Sequence, residues 1–405
     1  MLCQFTFRNY RSYRDEAELS MQATPMKEFE RSLIACPDGQ GFLPVAAVYG
    51  PNAGGKSNLL EALDYVRSAV ARPIRLLSAS ADAPGGDRPS IPRCSAFGFD
   101  DVSATEPTEF ELYYRAGDHE YRYALSVHAD EIVSEGLWRR KLGASRTAML
   151  FEREGAKVEL GPTLRKLVTA ARFNPSLPYL SFLCINFDAP VVQEAASWFL
   201  DAVFLNYNSS YLERMLEQML DEGDSREVTR FLRAVDVHID GFRVERAPEW
   251  RGQRVFVRHE VGGKGYELRL SEESAGTQKL MGLAAYLMTA LERGATVVVD
   301  ELDAKLHPKL LRYVILLFKD PAVNKSGAQL IFSSQDVSTM RNDVFRRDEI
   351  WFAARDEGEA SQLWSLADIH EANGNLVSKN AAFDKQYLSG RYGVDPYLTR
   401  IEEWD

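Results

Sequence analysis

Gly50-Pro51-Asn52-Ala53-Gly54-Gly55-Lys56-Ser57 places three glycines, a lysine and a hydroxyl at the GxxxxGKS spacing of a loop that grips a polyphosphate. Gly50, Gly54 and Gly55 let backbone N–H groups close round phosphate oxygens with no Cβ in the way, and a helix starting there adds its positive end. Lys56 then reaches the β- and γ-phosphates, and the Ser57 hydroxyl ligates Mg²⁺. Asn52, Ala53, Gly54, Gly55, Lys56, Ser57 and Asn58 are the expected nucleotide contacts, with ATP and Mg²⁺ as ligands. Far along the chain, Asp300-Glu301 ends the apolar run Thr296-Val297-Val298-Val299. Asp300 is suited to hold the Mg²⁺ through water, and Glu301 to polarise the water that attacks the γ-phosphate. Between these motifs, Ser274-Ala275-Gly276 opens a helical pattern, as a second anion site or as a simple N-cap.

These side chains need strands and helices at fixed places. Val45 to Tyr49 is an apolar run of strand composition, and Leu59, Ala62, Leu63, Val66 and Val70 recur at helical spacing, predicting a helix to about Ala71. Val297 to Val299 do not alternate, which fits a parallel strand buried on both faces, with its carboxylates at the end where α/β sheets bind ligands. Ala328 to Phe332 reads as another such strand, and Pro308 to Lys319 as the helix between them. Glu349 to Phe352 and Ser361 to Leu366 read as a hairpin at the sheet edge.

Elsewhere the chain alternates like strands at 2–22 and again from about 94 to 160, where Phe110, Leu112 and Tyr114, then Tyr121, Tyr123 and Leu125, predict an antiparallel meander. Residues 78–93, rich in Ser, Ala, Asp, Gly and Pro, read as an exposed loop. From 163 to 236 the pattern is helical: Trp198, Phe199, Ala202 and Val203 lie near one face, and Leu212, Met215, Leu216, Met219 and Leu220 make a stripe that is core rather than a cofactor box. Strands return at 241–247, 253–260 and 265–270. The expected divisions are 1–93, 94–162, 163–240 and 241–405.

The 405 residues carry a net charge of −11, with 45% hydrophobic and 26% charged residues, ordinary for a globular chain. That balance argues against a chain-wide nucleic-acid footprint. Two basic clusters, Arg139-Arg140-Lys141 with Arg146 and Arg226, Arg230, Arg233, Arg243, Arg246, are solvated faces or local nucleic-acid contacts. Cys3, Cys36, Cys94 and Cys184 have neither metal nor disulfide spacing and read as buried thiols. With no long apolar run and no signal-like start, a cytoplasmic protein with no membrane attachment is expected.

The order of phosphate loop, long insertion, Ser-x-Gly at a helix start and hydrophobic-Asp-Glu strand resembles the ATP-binding-cassette (ABC) ATPases, within them the SMC/RecF/OLD-like group. Ser274-Ala275-Gly276-Thr277-Gln278-Lys279 resembles that group's signature motif, and Phe7-Arg8-Asn9-Tyr10-Arg11-Ser12-Tyr13 its N-terminal opening. Asp300 to Pro308, Ile350-Trp351-Phe352 and Gly390-Arg391-Tyr392-Gly393 are similar to stand-alone defence-associated ATPases of the RloA, abortive-infection and PARIS types. The resemblance implies an α/β, ABC-ATPase-like P-loop fold with a mainly parallel core sheet, an inserted antiparallel β-subdomain and a helical insertion, without a long coiled coil.

It further implies a homodimer sandwiching two ATP molecules, each between the phosphate loop of one copy and Ser274 and Gly276 of the other. The implied role is an ATPase switch governing a partner effector, a nuclease or toxin, under a phage-derived trigger. The alternatives are a RecF/SMC-like repair ATPase acting on DNA, and a nucleotide-binding scaffold with little turnover. Gln335 stands where many relatives carry a histidine at the γ-phosphate; as a catalytic residue it hydrogen-bonds without the imidazole's charge, which implies slow hydrolysis. No Q-loop glutamine is assignable near 92–100. His307 stands where SMC proteins place an aspartate facing the dimer, or else caps the helix at Pro308. The stretch after Gln335 lacks an Asp-x-Asp pair, so a nuclease site is expected in a separate subunit.

Overall fold

The computed structural model describes residues 1–79, 90–168, 172–206, 225–235, 239–246, 253–371 and 374–394. The stripe from Leu212 to Leu220 and most of the loop expected at 78–93 lie outside them.

The central layer is a six-stranded sheet in the order Val203–Asn206, Thr296–Asp300, Gln329–Ser333, Val45–Tyr49, Ile350–Arg355, Ser361–Ser365. The first five strands are parallel and the last closes an antiparallel hairpin at the edge. Its inner strands are continuous apolar runs because both faces are covered. Ala46, Val48, Val298 and Ile331 join one core, shared with helix Lys56–Ala79 and the antiparallel sheet. Val45, Ala47, Tyr49, Val297, Val299, Leu330 and Phe332 join a second, shared with helices Ala275–Arg293 and Pro308–Lys319.

Helix Lys56–Ala79 runs eight residues further than its sequence predicts, through Pro73. It packs on helices Tyr179–Asn186 and Pro190–Asp201, and this tertiary packing outweighs the single backbone bond that proline removes. Residues 94–107 are not strand: the meander begins at Thr108–Ala116 and continues through His119–His128, Glu131–Lys141, Thr147–Glu154 and Lys157–Leu160. It shares one seven-stranded sheet with the chain's first strands, since Thr108–Ala116 pairs with Leu2–Arg8, which pairs with Ala17–Ser20.

Two further expectations change. The helix carrying Trp198 and Phe199 stops at Asp201, and Val203, expected on its face, begins the strand paired with Thr296–Asp300. Of the four cysteines, all free, Cys3 and Cys94 are buried but Cys36 and Cys184 only half-buried. The strands Gly241–Arg246, Gln253–Val261 and Lys264–Arg269 form a small antiparallel sheet leading into Ser274. Among the described residues no helix is long and apolar enough to cross a membrane, and no long coiled coil occurs.

Candidate nucleotide-binding site

Val45–Tyr49 is wholly buried, and the chain leaves it through Gly50 at φ +149°, Ala53 at +61° and Gly55 at +106°, to start a helix at Lys56. The glycines have a reason beyond wrapping phosphate. A Cβ at Gly50 would lie 2.0 Å from the Ala353 carbonyl oxygen, one at Gly54 2.5 Å from the same atom, and one at Gly55 2.4 Å from Ser361 Oγ. The loop is pressed onto the edge hairpin, and only glycine permits that approach. Lys56 is buried and its ammonium donates to the carbonyls of Gly50 (2.8 Å) and Pro51 (2.9 Å). Burial lowers its pKa, while Asp300, Glu301 and Asp303 pull it back up. A cation held by weak carbonyl partners in a low-dielectric loop is primed to exchange them for phosphate oxygens.

The acidic strand ends beside this loop. Asp300 Oδ1 accepts a hydrogen bond from Ser333 Oγ at 2.5 Å, and the same hydroxyl accepts the Glu301 N–H at 2.8 Å. Glu301 sits at φ +53°, an uncommon backbone for a residue with a side chain, which turns it out of the strand. Ser57 and Asp300 line one cleft of about 360 Å³ with Arg11, Glu61, Asp64 and Phe204. One hydroxyl and one carboxylate are hard oxygen donors of the kind Mg²⁺ takes, so Ser57 and Asp300 are the residues that would hold it. No group of three metal-ligating side chains occurs among the described residues.

Ser274 is exposed and caps helix Ala275–Arg293: its Oγ accepts the Thr277 N–H at 3.1 Å and shares a 2.7 Å bond with Thr277 Oγ1. Ser274 is thus the N-cap, and its exposure leaves the hydroxyl open to the outside. Gly276 is close to the Lys305 carbonyl, where a Cβ would sit at 3.1 Å. The structure therefore brings Lys56, Ser57, Asp300 and Glu301 together and leaves Ser274 and Gly276 on a helix end of their own. Gln335 is exposed, and its N–H with that of Asp336 donates to Asp303 Oδ2 at 3.2 and 3.1 Å. His307 caps the helix at Pro308, accepting the Lys309 N–H.

Several supporting residues have no assigned role in the sequence. Ser12 Oγ accepts from Asn58 Nδ2 (2.7 Å) and from Ser361 Oγ (2.8 Å), Tyr13 donates to the Gly55 carbonyl (3.3 Å), and Arg11 pairs with Glu61. The signal for them was the opening motif, which this turn ties to the phosphate loop. Ser333 carried no comparable signal, and Lys279 stood at the end of the signature-like motif without a role of its own. At 92–100 the chain is coil, with only Pro92 lining the cleft; the strand beside Asp300 is Val203–Asn206, Asn206 in register with Asp300. Arg140 pairs with Glu120, Arg233 with Asp240 and Arg243 with Glu267, so these basic side chains serve ion pairs.

A family model described as "AAA domain, putative AbiEii toxin, Type IV TA system" matches residues 45–341, from the phosphate-loop strand to beyond Gln335. The chain belongs to that family. No curated protein matches this AAA domain. Among solved structures, an SMC head bound to the C-winged helix domain of ScpA is 15% identical, covering 90% of this chain and 97% of that one at a TM-score of 0.45. The SMC head domain from Thermotoga maritima is 13% identical, covering 90% and 98% at 0.42. An SMC head with an extended coiled coil, bound to the C-terminal domain of ScpA and derived from Pyrococcus furiosus, is 13% identical, covering 90% and 96% at 0.43.

Proposed function

We propose that this AAA domain binds and hydrolyses ATP, and that a nucleotide-bridged homodimer switches a partner effector, a nuclease or toxin, in anti-phage defence. The observation that carries the ATPase reading is the meeting of Lys56, Ser57, Asp300 and Glu301 at one end of the parallel sheet, where only the strand Gln329–Ser333 separates Val45–Tyr49 from Thr296–Asp300. Lys56 leaves the Gly50 and Pro51 carbonyls for the β- and γ-phosphates. Ser57 and Asp300 would hold Mg²⁺, whose charge would be supplied against the phosphate oxygens. Glu301, turned out by its left-handed backbone, orients and deprotonates the attacking water, and Gln335 hydrogen-bonds near the γ-phosphate. The outward-facing Ser274 completes the site of a second copy. Its exposure, and its absence from the lining of the cleft that Ser57 and Asp300 share, support a role in trans. The family description, which names a toxin and a toxin-antitoxin system, supports an effector under control.

The test measures phosphate release by the wild-type chain and by Glu301→Gln, with the mass of each in ATP. Slow release by the wild type, and a stable ATP-bound dimer of Glu301→Gln without release, are expected. A chain that binds no ATP, or that remains a monomer in both forms, overturns the reading. Copurification with the protein encoded beside it then tests the effector: an ATP-dependent complex is expected.

A further inference from the structure

We infer that Lys279 is a positioning residue that fastens the Ser274 helix to the turn carrying Glu301, so that whatever engages Ser274 is felt at the hydrolytic carboxylate of the same chain. The inference rests on the ATPase reading above. Lys279 is 5% exposed, an unusual burial for a lysine, and its ammonium reaches the carbonyl oxygens of Glu301 (3.2 Å), Leu302 (3.5 Å) and Ala304. Three backbone acceptors from one turn converge on one donor group from another element.

That turn is otherwise an awkward piece of backbone. Glu301 and Lys305, at φ +53° and +63°, bracket it with two left-handed residues that are not glycine. Its own bonds are few: Leu302 N–H to the Ser333 carbonyl (3.1 Å), Ala304 N–H to the Glu301 carbonyl (3.0 Å) and Leu306 N–H to the Asp303 carbonyl (3.0 Å). The ammonium gathers carbonyls that would otherwise repel one another and so holds the strained shape. Gly276, three residues before Lys279 and on the same side of the helix, touches the turn at the Lys305 carbonyl. Asp303 extends the connection through Oδ2 to the N–H groups of Gln335 and Asp336, while its buried Oδ1 has no hydrogen-bond partner among the described residues. A displacement of the helix end at Ser274 thus moves the Glu301 backbone and the Gln335 loop through one side chain.

Lys279→Met keeps the length and apolar stem and removes the charge and donors. With cooperative thermal unfolding retained, it is expected to bind a fluorescent ATP analogue within twofold of the wild type while kcat falls tenfold or more. Lys279→Arg, which keeps charge and donors, is expected to regain at least half. A Lys279→Met kcat within twofold of wild type overturns the inference, as does parallel loss of binding and turnover with no rescue by arginine. Hydrogen exchange at the 301–306 amides separates this inference from the ATPase reading: should the wild type release no phosphate, the latter fails. Faster exchange in Lys279→Met still sustains the latch, and unchanged exchange removes it.

Discussion

Ser333 shows how much of the site is carried by a residue with no catalytic reputation. One hydroxyl fixes both Asp300 Oδ1 and the Glu301 N–H, orienting the carboxylate proposed to hold the metal and the left-handed turn that carries the proposed general base. Partners of this kind typically contribute about 10–100-fold in metal affinity or activity. Ser333→Ala is therefore expected to raise the Mg²⁺ concentration needed for half-maximal phosphate release by roughly tenfold. Nucleotide binding in the absence of metal should stay near wild type, since Lys56 and the loop are untouched; equal losses in both assays would refute the assignment. Lys279 adds a pH dependence. Burial brings its pKa down to about 8, against the opposing pull of Asp303 and Glu301, with Lys305 also pushing it down. Between about 8 and the ordinary 10.5 the unfolded chain holds this proton and the folded one does not, so in that window the group makes stability rise with pH. The neutral amine nevertheless has one donor fewer for the turn. Turnover is expected to decline as pH passes about 8 while the melting temperature shows no matching fall, and Lys279→Arg should flatten the decline.

At the scale of elements, the phosphate loop is shaped as much by the hairpin Ile350–Arg355/Ser361–Ser365 as by its own sequence. Gly50→Ala puts a methyl carbon 2.0 Å from the Ala353 carbonyl at a φ of +149°, so loop and hairpin must separate. Loss of ATP binding by at least tenfold is expected, together with destabilisation of about 1–3 kcal/mol from overpacking and backbone strain. Calorimetry and nucleotide titration check both. The loop, acidic strand and Ser274 helix were legible in the sequence because each is a contiguous pattern: an apolar run, a turn of fixed spacing, a 3.6-residue stripe. The contact of Ala353 with Gly50 was not, because no local pattern announces a neighbour about 300 residues away. Val203–Asn206 was misread for a related reason. Four residues of mixed apolar character continue a helical stripe as readily as they form a strand, and pairing with Thr296–Asp300 decides the matter. The seven-stranded sheet was half legible: its meander shows in the alternation, its union with Leu2–Arg8 does not.

For the whole molecule, the separation of Ser274 from the Lys56 loop makes a quantitative expectation about copies. Lys56→Ala removes the phosphate grip and Ser274→Arg blocks the facing surface, so each alone should be inactive. Mixed in equal amounts, random pairing gives half mixed dimers, each with one intact composite site, and about a quarter of wild-type phosphate release should return. No recovery would show that both groups serve the same chain's site.

The strand order has a consequence for how the protein comes into being. Val45–Tyr49 leaves the ribosome about 280 residues before the first of its two sheet neighbours, Gln329–Ser333, and Ile350–Arg355 follows later still. Closing so long a stretch of polymer is slow, and an orphaned apolar strand is a hazard while it waits. A nascent chain halted short of Ile350 therefore has its glycine loop but not the wall that shapes it, and on the proposed reading competence for nucleotide arrives only once that hairpin has been made.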